Sequence, residues 1–168
     1  FLINTRDLGR PRSELPHDQW LLYALDDLDR IRPSETYRQH ARRLARSMVE
    51  AQNRDPASPD WLGSYQRPPA ATPTATRVEG MVAACHMARR AHEEQLALEL
   101  VDTMRLAASF LLQMQYRPES AMHLNDPQRV LGAFRTSLTD SEVRIDVVQH
   151  TISALLGLHD LLAGHESP

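Results

Sequence analysis

Four polar residues recur at helical spacing in a segment that is otherwise almost entirely apolar: Asp146, Gln149, His150 and Ser153. Residues three, four and seven positions apart share one face of a helix, so these side chains form a single polar stripe. Polar groups buried in such a helix must be hydrogen-bonded, because leaving them unpaired costs free energy. Two interpretations follow. Either Asp146 orients His150 and raises its basicity, which makes the imidazole a general base, or the stripe is a structural hydrogen-bond network.

Glu79 is a second candidate for acid/base chemistry. The residues that follow it are small, which allows a neighbouring helix or a ligand to approach closely. Together with Asp146, this carboxylate would supply the acid and the base that glycoside and uronate chemistry requires. The alternative is a structural ion pair between Glu79 and an arginine, either Arg77, Arg144 or Arg135.

Further side chains suit a saccharide ligand. Arginines hold anionic groups through paired hydrogen bonds, and aromatic rings offer stacking surface. The candidate substrate-binding residues are Arg77, Arg144, Gln149, Trp20 and Tyr65. Because the chain has only two Trp, four Tyr and three Phe, the alternative for most of these rings is a place in the core.

No metal ion and no cofactor are expected. The doublets at 17–18 and 159–160 are similar to the His-Asp pair of metal-dependent phosphohydrolases, but no ordered set of further ligands accompanies them. No two histidines have the i, i+4 spacing of a helical zinc site. The sequence also lacks a phosphate-binding glycine loop and a nucleophile elbow, and its single cysteine, Cys85, excludes an internal disulfide.

The elements that must position these residues are helices. A chain of 168 residues with 42% hydrophobic and 24% charged residues is typical of a single globular domain over 1–168. Eleven prolines separate stretches of helical spacing, and no segment has the pattern of a strand. We predict an all-α fold with about five helices in antiparallel hairpins, over 16–31, 34–48, 73–92, 94–115 and from a capping box at 139–142 to 162.

The apolar spacing also predicts which side of each helix is buried. In the first helix we expect Trp20 and Leu28 in the core and Asp26 and Asp29 at the surface. The arginine run of the second helix is expected to be a solvated face. In the last helix the apolar residues around the polar stripe are expected to be buried, namely Ile145, Val147, Val148, Ile152, Leu155 and Leu156.

The charge pattern and the hydropathy limit the partners. Nineteen basic and twenty-two acidic residues are interleaved, which leaves no basic face for nucleic acid. No apolar run approaches the roughly 20 residues of a membrane span, and no secretory signal is visible, so a soluble chain is expected, with the cytoplasm slightly favoured. The sequence begins at Phe1 rather than at a methionine, which is consistent with a processed piece or an excised domain.

A weak internal repeat relates the two halves of the chain. Gly63-Ser64-Tyr65 matches Gly132-Ala133-Phe134 at an offset of 69 residues, ahead of the third and the fifth predicted helix. When the offset is increased by one residue, Thr76, Glu79, Gly80 and Ala83 align with Asp146, Gln149, His150 and Ser153. A poorer third copy lies in the first helix, at Asp18, Trp20, Tyr23, Ala24 and Leu25.

This repeat resembles that of the (α/α) toroid proteins, a superfamily that includes terpenoid cyclases, protein prenyltransferases and six-hairpin carbohydrate enzymes. The resemblance implies alternating inner and outer helices, with ligands bound at the N-terminal ends of the inner ones. Those ends would carry Asp18, Arg77 with Glu79, and Arg144 with Asp146. Since a closed toroid has about a dozen helices, the chain is a fragment, or it is completed by a partner chain or by self-association, or it is an open array.

Two functional hypotheses remain. The first is a carbohydrate-active enzyme of the toroid type, or a portion of one, with hydrolase, lyase or epimerase-like chemistry at Glu79, Asp146 and His150. Carbohydrate is preferred over isoprenoid because the sequence has neither an aspartate-rich acid motif nor zinc ligands. The alternative is a non-catalytic helical-repeat module that binds another protein.

Overall fold

The computed structural model describes residues 1–164 and is all-helical, which confirms the predicted all-α class. No β-strand occurs in residues 1–164; isolated β-bridges link some of the loops. The five predicted helices correspond to the five long ones, and a single-turn helix at 118–121 lies between the fourth and the fifth predicted helix. The helices are α1 Gln19–Ile31, α2 Glu35–Ala51, α3 Ala71–Arg90, α4 Glu94–Gln113, α5 Pro118–Ala121 and α6 Ile145–Ala163. Shorter turns are the π-helix Leu2–Arg6 and the 3-10 helices Arg12–Glu14, Pro59–Trp61 and Pro127–Arg129.

Three of the long helices, α1, α3 and α6, run in the same direction. Gly80 of α3 faces Gln19 at the start of α1, and Arg90 at the end of α3 forms an ion pair with Asp26, further along α1. Helices α3 and α6 are parallel for the same reason: Glu79 contacts His150, and further along both helices Arg89 donates to the Leu161 carbonyl. The first turns of these helices therefore lie at one end of the molecule.

Helices α2 and α4 return in the opposite direction. Arg38 near the start of α2 pairs with Asp29 near the end of α1, whereas Ser47 near the end of α2 meets His17, which precedes α1. Helix α4 follows α3 after a short turn, and its Ala97 accepts a hydrogen bond from Cys85. Helix α2 contacts both α1 and α3, and α4 contacts both α3 and α6, so each returning helix lies between two parallel ones.

Helix α3 is the centre of this arrangement. It contacts all four other long helices, and twelve of its 20 residues are buried. Many of them are alanines, which let the surrounding helices approach closely. The helix is therefore buried on most sides, and a charged side chain such as Glu79 (6% exposed) must find its partner within the packed interior.

The two glycine turns that the sequence places in register share one backbone geometry. Gly63 and Gly132 both adopt a φ of +84°, in the left-handed region that favours glycine. The Gly63 amide donates to the Asn53 carbonyl at 2.9 Å, and the Asn53 amide donates to the Ser64 carbonyl at 2.9 Å. Tyr116 exchanges the corresponding pair with Gly132 and Ala133, at 2.9 and 2.8 Å.

The predicted orientation of α1 is wrong. Asp26 and Asp29 are 5% and 1% exposed, whereas Trp20 and Leu28 are 66% and 45% exposed. The aspartates are buried because arginines from other helices neutralise them. Asp29 accepts from Arg38 at 3.1 Å and also from the Ser34 amide at 2.9 Å, and Asp26 pairs with Arg90.

The arginine run of α2 is likewise not a purely solvated face. Arg38 pairs with Asp29 of α1, and Arg42 donates through Nε to Glu93, just before α4, at 2.9 Å. These half-buried arginines connect α2 to its neighbours, so part of the run stabilises the packing of the helices.

The start and the outer face of α6 also differ from the prediction. The predicted capping box at 139–142 lies in a loop, and the helix begins at Ile145. In that loop the Ser137 hydroxyl accepts from the Asp140 amide and the Asp140 carboxylate from the Glu142 amide. Because α6 has α3 and α4 on one side only, Ile145, Ile152 and Leu156 are 86%, 45% and 57% exposed rather than buried.

Among the described residues, no helix is both long enough and apolar enough to span a bilayer.

Candidate functional site

A hydrogen bond between Glu79 and His150 joins α3 to α6. His150 Nδ1 lies 2.9 Å from Glu79 Oε2, with the carboxylate side chain 6% and the imidazole 18% exposed. An ionised carboxylate accepts the Nδ1 proton, so the neutral ring keeps its lone pair on Nε2. This is the arrangement in which an acid orients a general base.

The predicted pairing of Asp146 with His150 is wrong. Asp146 instead accepts from Arg144 Nε at 3.0 Å and from its Nη2 at 3.1 Å, and both side chains are exposed. The Arg144 guanidinium holds the pKa of Asp146 below its usual value. The predicted alternative of an ion pair between Glu79 and an arginine is also replaced, since the partner of Glu79 is an imidazole.

Helix α1 adds Tyr23 to the same place. Burial raises the pKa of Tyr23 to about 12, the nearby Glu79 carboxylate adds to the rise, and hydrogen bonding from the Ser153 side chain opposes it. The phenol therefore keeps its proton at neutral pH, so its hydroxyl can donate a hydrogen bond. The sequence analysis considered Tyr23 only within a poor copy of the repeat, because its approach to Glu79 arises from the packing of α1 along α3.

An exposed aromatic surface lies next to these groups. Trp20 is 66% exposed, and its ring centroid lies 5.9 Å from that of Tyr23 with the two rings tilted by 59°. Trp20 precedes Tyr23 by almost one helical turn. An extended ring that is open to solvent beside a proton donor suits the apolar face of a sugar.

Small residues allow the helices that carry the site to approach closely, as predicted for Gly80. A Cβ at Gly80 would lie 2.9 Å from Leu22 Cδ1 and 3.1 Å from Gln19 Cα, both on α1. Gly157 does the same for α6, since a Cβ there would lie 3.1 Å from Val82. The site is thus built on a tightly packed group of three parallel helices.

Arg77 and Tyr65 form a separate cluster. Arg77 Nε donates to His17 Nδ1 at 2.7 Å, its Nη1 donates to the Pro73 carbonyl at 2.7 Å, and its Cζ lies 4.9 Å from the Tyr65 ring centroid. Residues two positions apart in a helix differ by about 200° around its axis, so Arg77 and Glu79 face different sides of α3. Tyr65 is only 1% exposed, which rules out its predicted use as a stacking surface for a sugar.

The predicted site residues are therefore only partly brought together. Glu79 and His150 are in contact, and Trp20 lies beside Tyr23, which adjoins Glu79. Asp146 lies one turn before His150 on α6, where it pairs with Arg144, and Gln149 is exposed.

Acid is expected to destabilise the chain through His17. Burial, followed by the Arg77 charge, lowers the pKa of His17 from 6.5 to about 4. Between these values the unfolded chain binds a proton that the folded chain does not, so stability falls as the pH falls. We expect a loss of up to about 3 kcal/mol over this window, and His17→Gln should abolish that part of the dependence.

Urea denaturation of the wild type and His17→Gln between about pH 7 and pH 4 measures this difference. His159, whose side chain is 69% exposed, supplies the control variant His159→Gln, which should keep the wild-type pH dependence. A His17→Gln variant with the same acid loss as the wild type would contradict the assignment.

Within residues 1–164, no group of three or more His, Cys, Asp or Glu side chains is arranged to hold a metal ion. A surface cavity of about 280 Å³ lies at the end of α4 and the start of α5, and its lining includes Gln113 and Arg117. It does not include any residue of the Glu79/His150 pair or its neighbours.

Comparison of the chain with protein-family models, with curated proteins and with solved structures finds no match in any of the three.

Proposed function

We propose that the chain is a carbohydrate-active enzyme of the (α/α) toroid type, or a portion of one, and that Glu79 and His150 are its acid/base centre. The observation that carries this proposal is the 2.9 Å hydrogen bond between a buried carboxylate and an imidazole on two parallel helices. The order of the helices supports it as well, because α2 and α4 alternate with α1, α3 and α6 as the resemblance implies.

The chemistry follows from the protonation states. His150 Nε2 accepts a proton from the substrate or from a water molecule, and Glu79 stabilises the imidazolium that forms. Tyr23 keeps its proton at neutral pH, so its hydroxyl can donate a hydrogen bond to a leaving oxygen or to a developing negative charge. Hydrolysis, elimination and epimerisation of a sugar all need such a base with a nearby donor. Trp20 would hold the sugar ring by stacking.

Binding of a saccharide to the folded chain should raise its melting temperature by mass action. The test is a thermal-shift series of the wild type against neutral oligosaccharides, uronic acids and prenyl diphosphates. We expect one saccharide class to raise Tm in the wild type, and Glu79→Gln to weaken that shift. Glu99→Gln, the same change at an exposed position of α4, should leave the shift intact. The absence of any shift with a folded wild-type chain would contradict the proposal.

A second candidate function is a non-catalytic module that binds another protein or another copy of this chain. The observation that favours it is the exposed apolar stripe of α6, formed by Ile145, Ile152 and Leu156. Positions seven and eleven apart share one helix face, and an apolar face of this kind on a soluble chain marks a contact surface. The same face would serve self-association or a partner chain that completes a toroid.

Substitution of the α6 stripe tests this second candidate. Ile152→Asp and Leu156→Asp together should lower the free energy of unfolding by about 2–3 kcal/mol at most, because about half of each side chain is already in water. If copies associate through this face, light scattering should give the wild type a mass above the 19.1 kDa of one chain and the double variant the mass of one chain.

Leu158, two residues after Leu156 and only 5% exposed, provides the control, since Leu158→Asp should unfold the chain. A wild type that remains a single chain at all concentrations would exclude self-association through the α6 stripe.

A further inference from the structure

Arg77 is fixed in place by groups that do not neutralise it. Its contacts are the His17 imidazole, the Pro73 carbonyl and the face of the Tyr65 ring. None of these groups is an acid, and no carboxylate within residues 1–164 forms an ion pair with Arg77. By contrast Arg6, Arg38 and Arg42, which are also half-buried, each pair with an aspartate or a glutamate.

No neighbouring acid therefore offsets the free-energy cost of burying this guanidinium. Burial lowers the pKa of Arg77, whereas the carboxylates beside Arg6 and Arg42 raise the pKa of those two arginines. His17 adds no charge, because its low pKa keeps the ring neutral at physiological pH. The cluster thus carries a positive charge for which the described part of the chain supplies no counter-ion.

A second observation in the same cluster also indicates a missing partner. The Tyr65 hydroxyl is buried, and it has no hydrogen-bond partner among residues 1–164. Burial raises the pKa of Tyr65, and the charges of Arg77 and Arg54 oppose that rise, so both cations lie close enough to act on the phenol. A buried donor that lacks an acceptor is unfavourable, and an anion would supply that acceptor.

We propose that Arg77, held between His17 and Tyr65, is the centre of a binding site for a single oxyanion group, a carboxylate or a sulfate. Guanidinium groups suit such ligands because their planar fork matches two oxygens of the anion. The site is distinct from the Glu79/His150 pair, since the two face different sides of α3. The proposal therefore does not depend on the proposed catalytic function.

Calorimetric titration of the full chain with sodium sulfate and with sodium glucuronate tests the proposal, with ionic strength held constant by sodium chloride. We expect binding of one or both anions to the wild type, at least tenfold weaker in Arg77→Gln and also weakened in Arg77→Lys, whose point charge cannot replace the planar fork. A preference for glucuronate would identify a sugar carboxylate as the ligand, and a preference for sulfate would identify a sulfate group or the free ion.

Two further variants keep the test decisive if Arg77→Gln fails to fold. Tyr65→Phe removes only the unpaired hydroxyl, so it should not lower Tm, and it should weaken anion binding about threefold or more. Arg89→Gln removes an equal charge at an exposed position on the same helix and should bind as the wild type does. The proposal is overturned if the wild type binds neither anion, or if Arg89→Gln weakens binding as much as Arg77→Lys and Tyr65→Phe do.

Discussion

Replacing Gly63 with alanine is expected to destabilise the chain by about 4 kcal/mol or more, one of the largest effects of any single substitution. A Cβ at this position would lie 2.0 Å from the carbonyl oxygen of Leu106 and 2.4 Å from its carbon. Since both atoms belong to the α4 backbone, no side chain can move aside to make room. The positive φ of Gly63 adds about 1–2 kcal/mol of strain for any residue that carries a Cβ.

Gly132 supplies a matched control for this substitution. It has the same φ of +84°, but nothing lies within 4 Å of a Cβ built on it. Gly132→Ala should therefore cost only the conformational strain, about 1–2 kcal/mol. Urea denaturation of both variants measures the difference, and equal losses would show that Gly63 is not in close contact with α4.

The second large effect is expected at the Glu79/His150 pair. On a saccharide that the proposed acid/base centre converts, Glu79→Gln should lower kcat/KM by at least about 100-fold, because the neutral amide cannot stabilise an imidazolium. The same variant should keep most of the stability, since the amide oxygen can still accept the Nδ1 proton. His150→Ala should instead reduce the free energy of unfolding by about 3 kcal/mol, because it leaves the Glu79 carboxylate buried without a partner.

A double-mutant cycle separates the structural part of this pair from the catalytic part. Adding Glu79→Gln to His150→Ala removes the uncompensated charge, so the double variant should be more stable than His150→Ala alone. Losses that simply add would show that the two side chains are not coupled. Glu99→Gln is the reference for activity, since its exposed side chain lies on α4, away from the pair.

The helices were predictable because their stability depends on local spacing. Apolar residues three and four positions apart defined α2 and α4, and prolines marked the breaks between elements. The orientation of α1 could not be predicted in this way. Asp26 and Asp29 are buried by ion pairs with Arg90 and Arg38, and pairs between different helices leave no mark on the spacing within one helix.

The sequence indicated that Glu79 and His150 belong to the candidate site, but it did not indicate that they form a hydrogen bond with each other. The repeat aligns Glu79 with Gln149, the residue before His150. It therefore indicated that Glu79 and His150 lie at similar distances from the first turns of their helices. It could not show that His150 points toward α3, since that depends on how α6 is rotated within the packed array. The more local pairing of Asp146 with His150 failed because Arg144, two residues from Asp146, competes for the carboxylate in solvent.

The most direct test of the proposed acid/base centre is mass spectrometry of saccharides incubated with the chain in ¹⁸O-labelled heavy water. Hydrolysis adds labelled oxygen to the product. Elimination yields an unsaturated product that is lighter by one water than the product of hydrolysis. Epimerisation exchanges a carbon-bound hydrogen for deuterium. We predict one of these mass changes for at least one neutral or acidic oligosaccharide, present with the wild type and Glu99→Gln and abolished in Glu79→Gln. No change with any saccharide, or the same change with Glu79→Gln, would contradict a catalytic role for the pair.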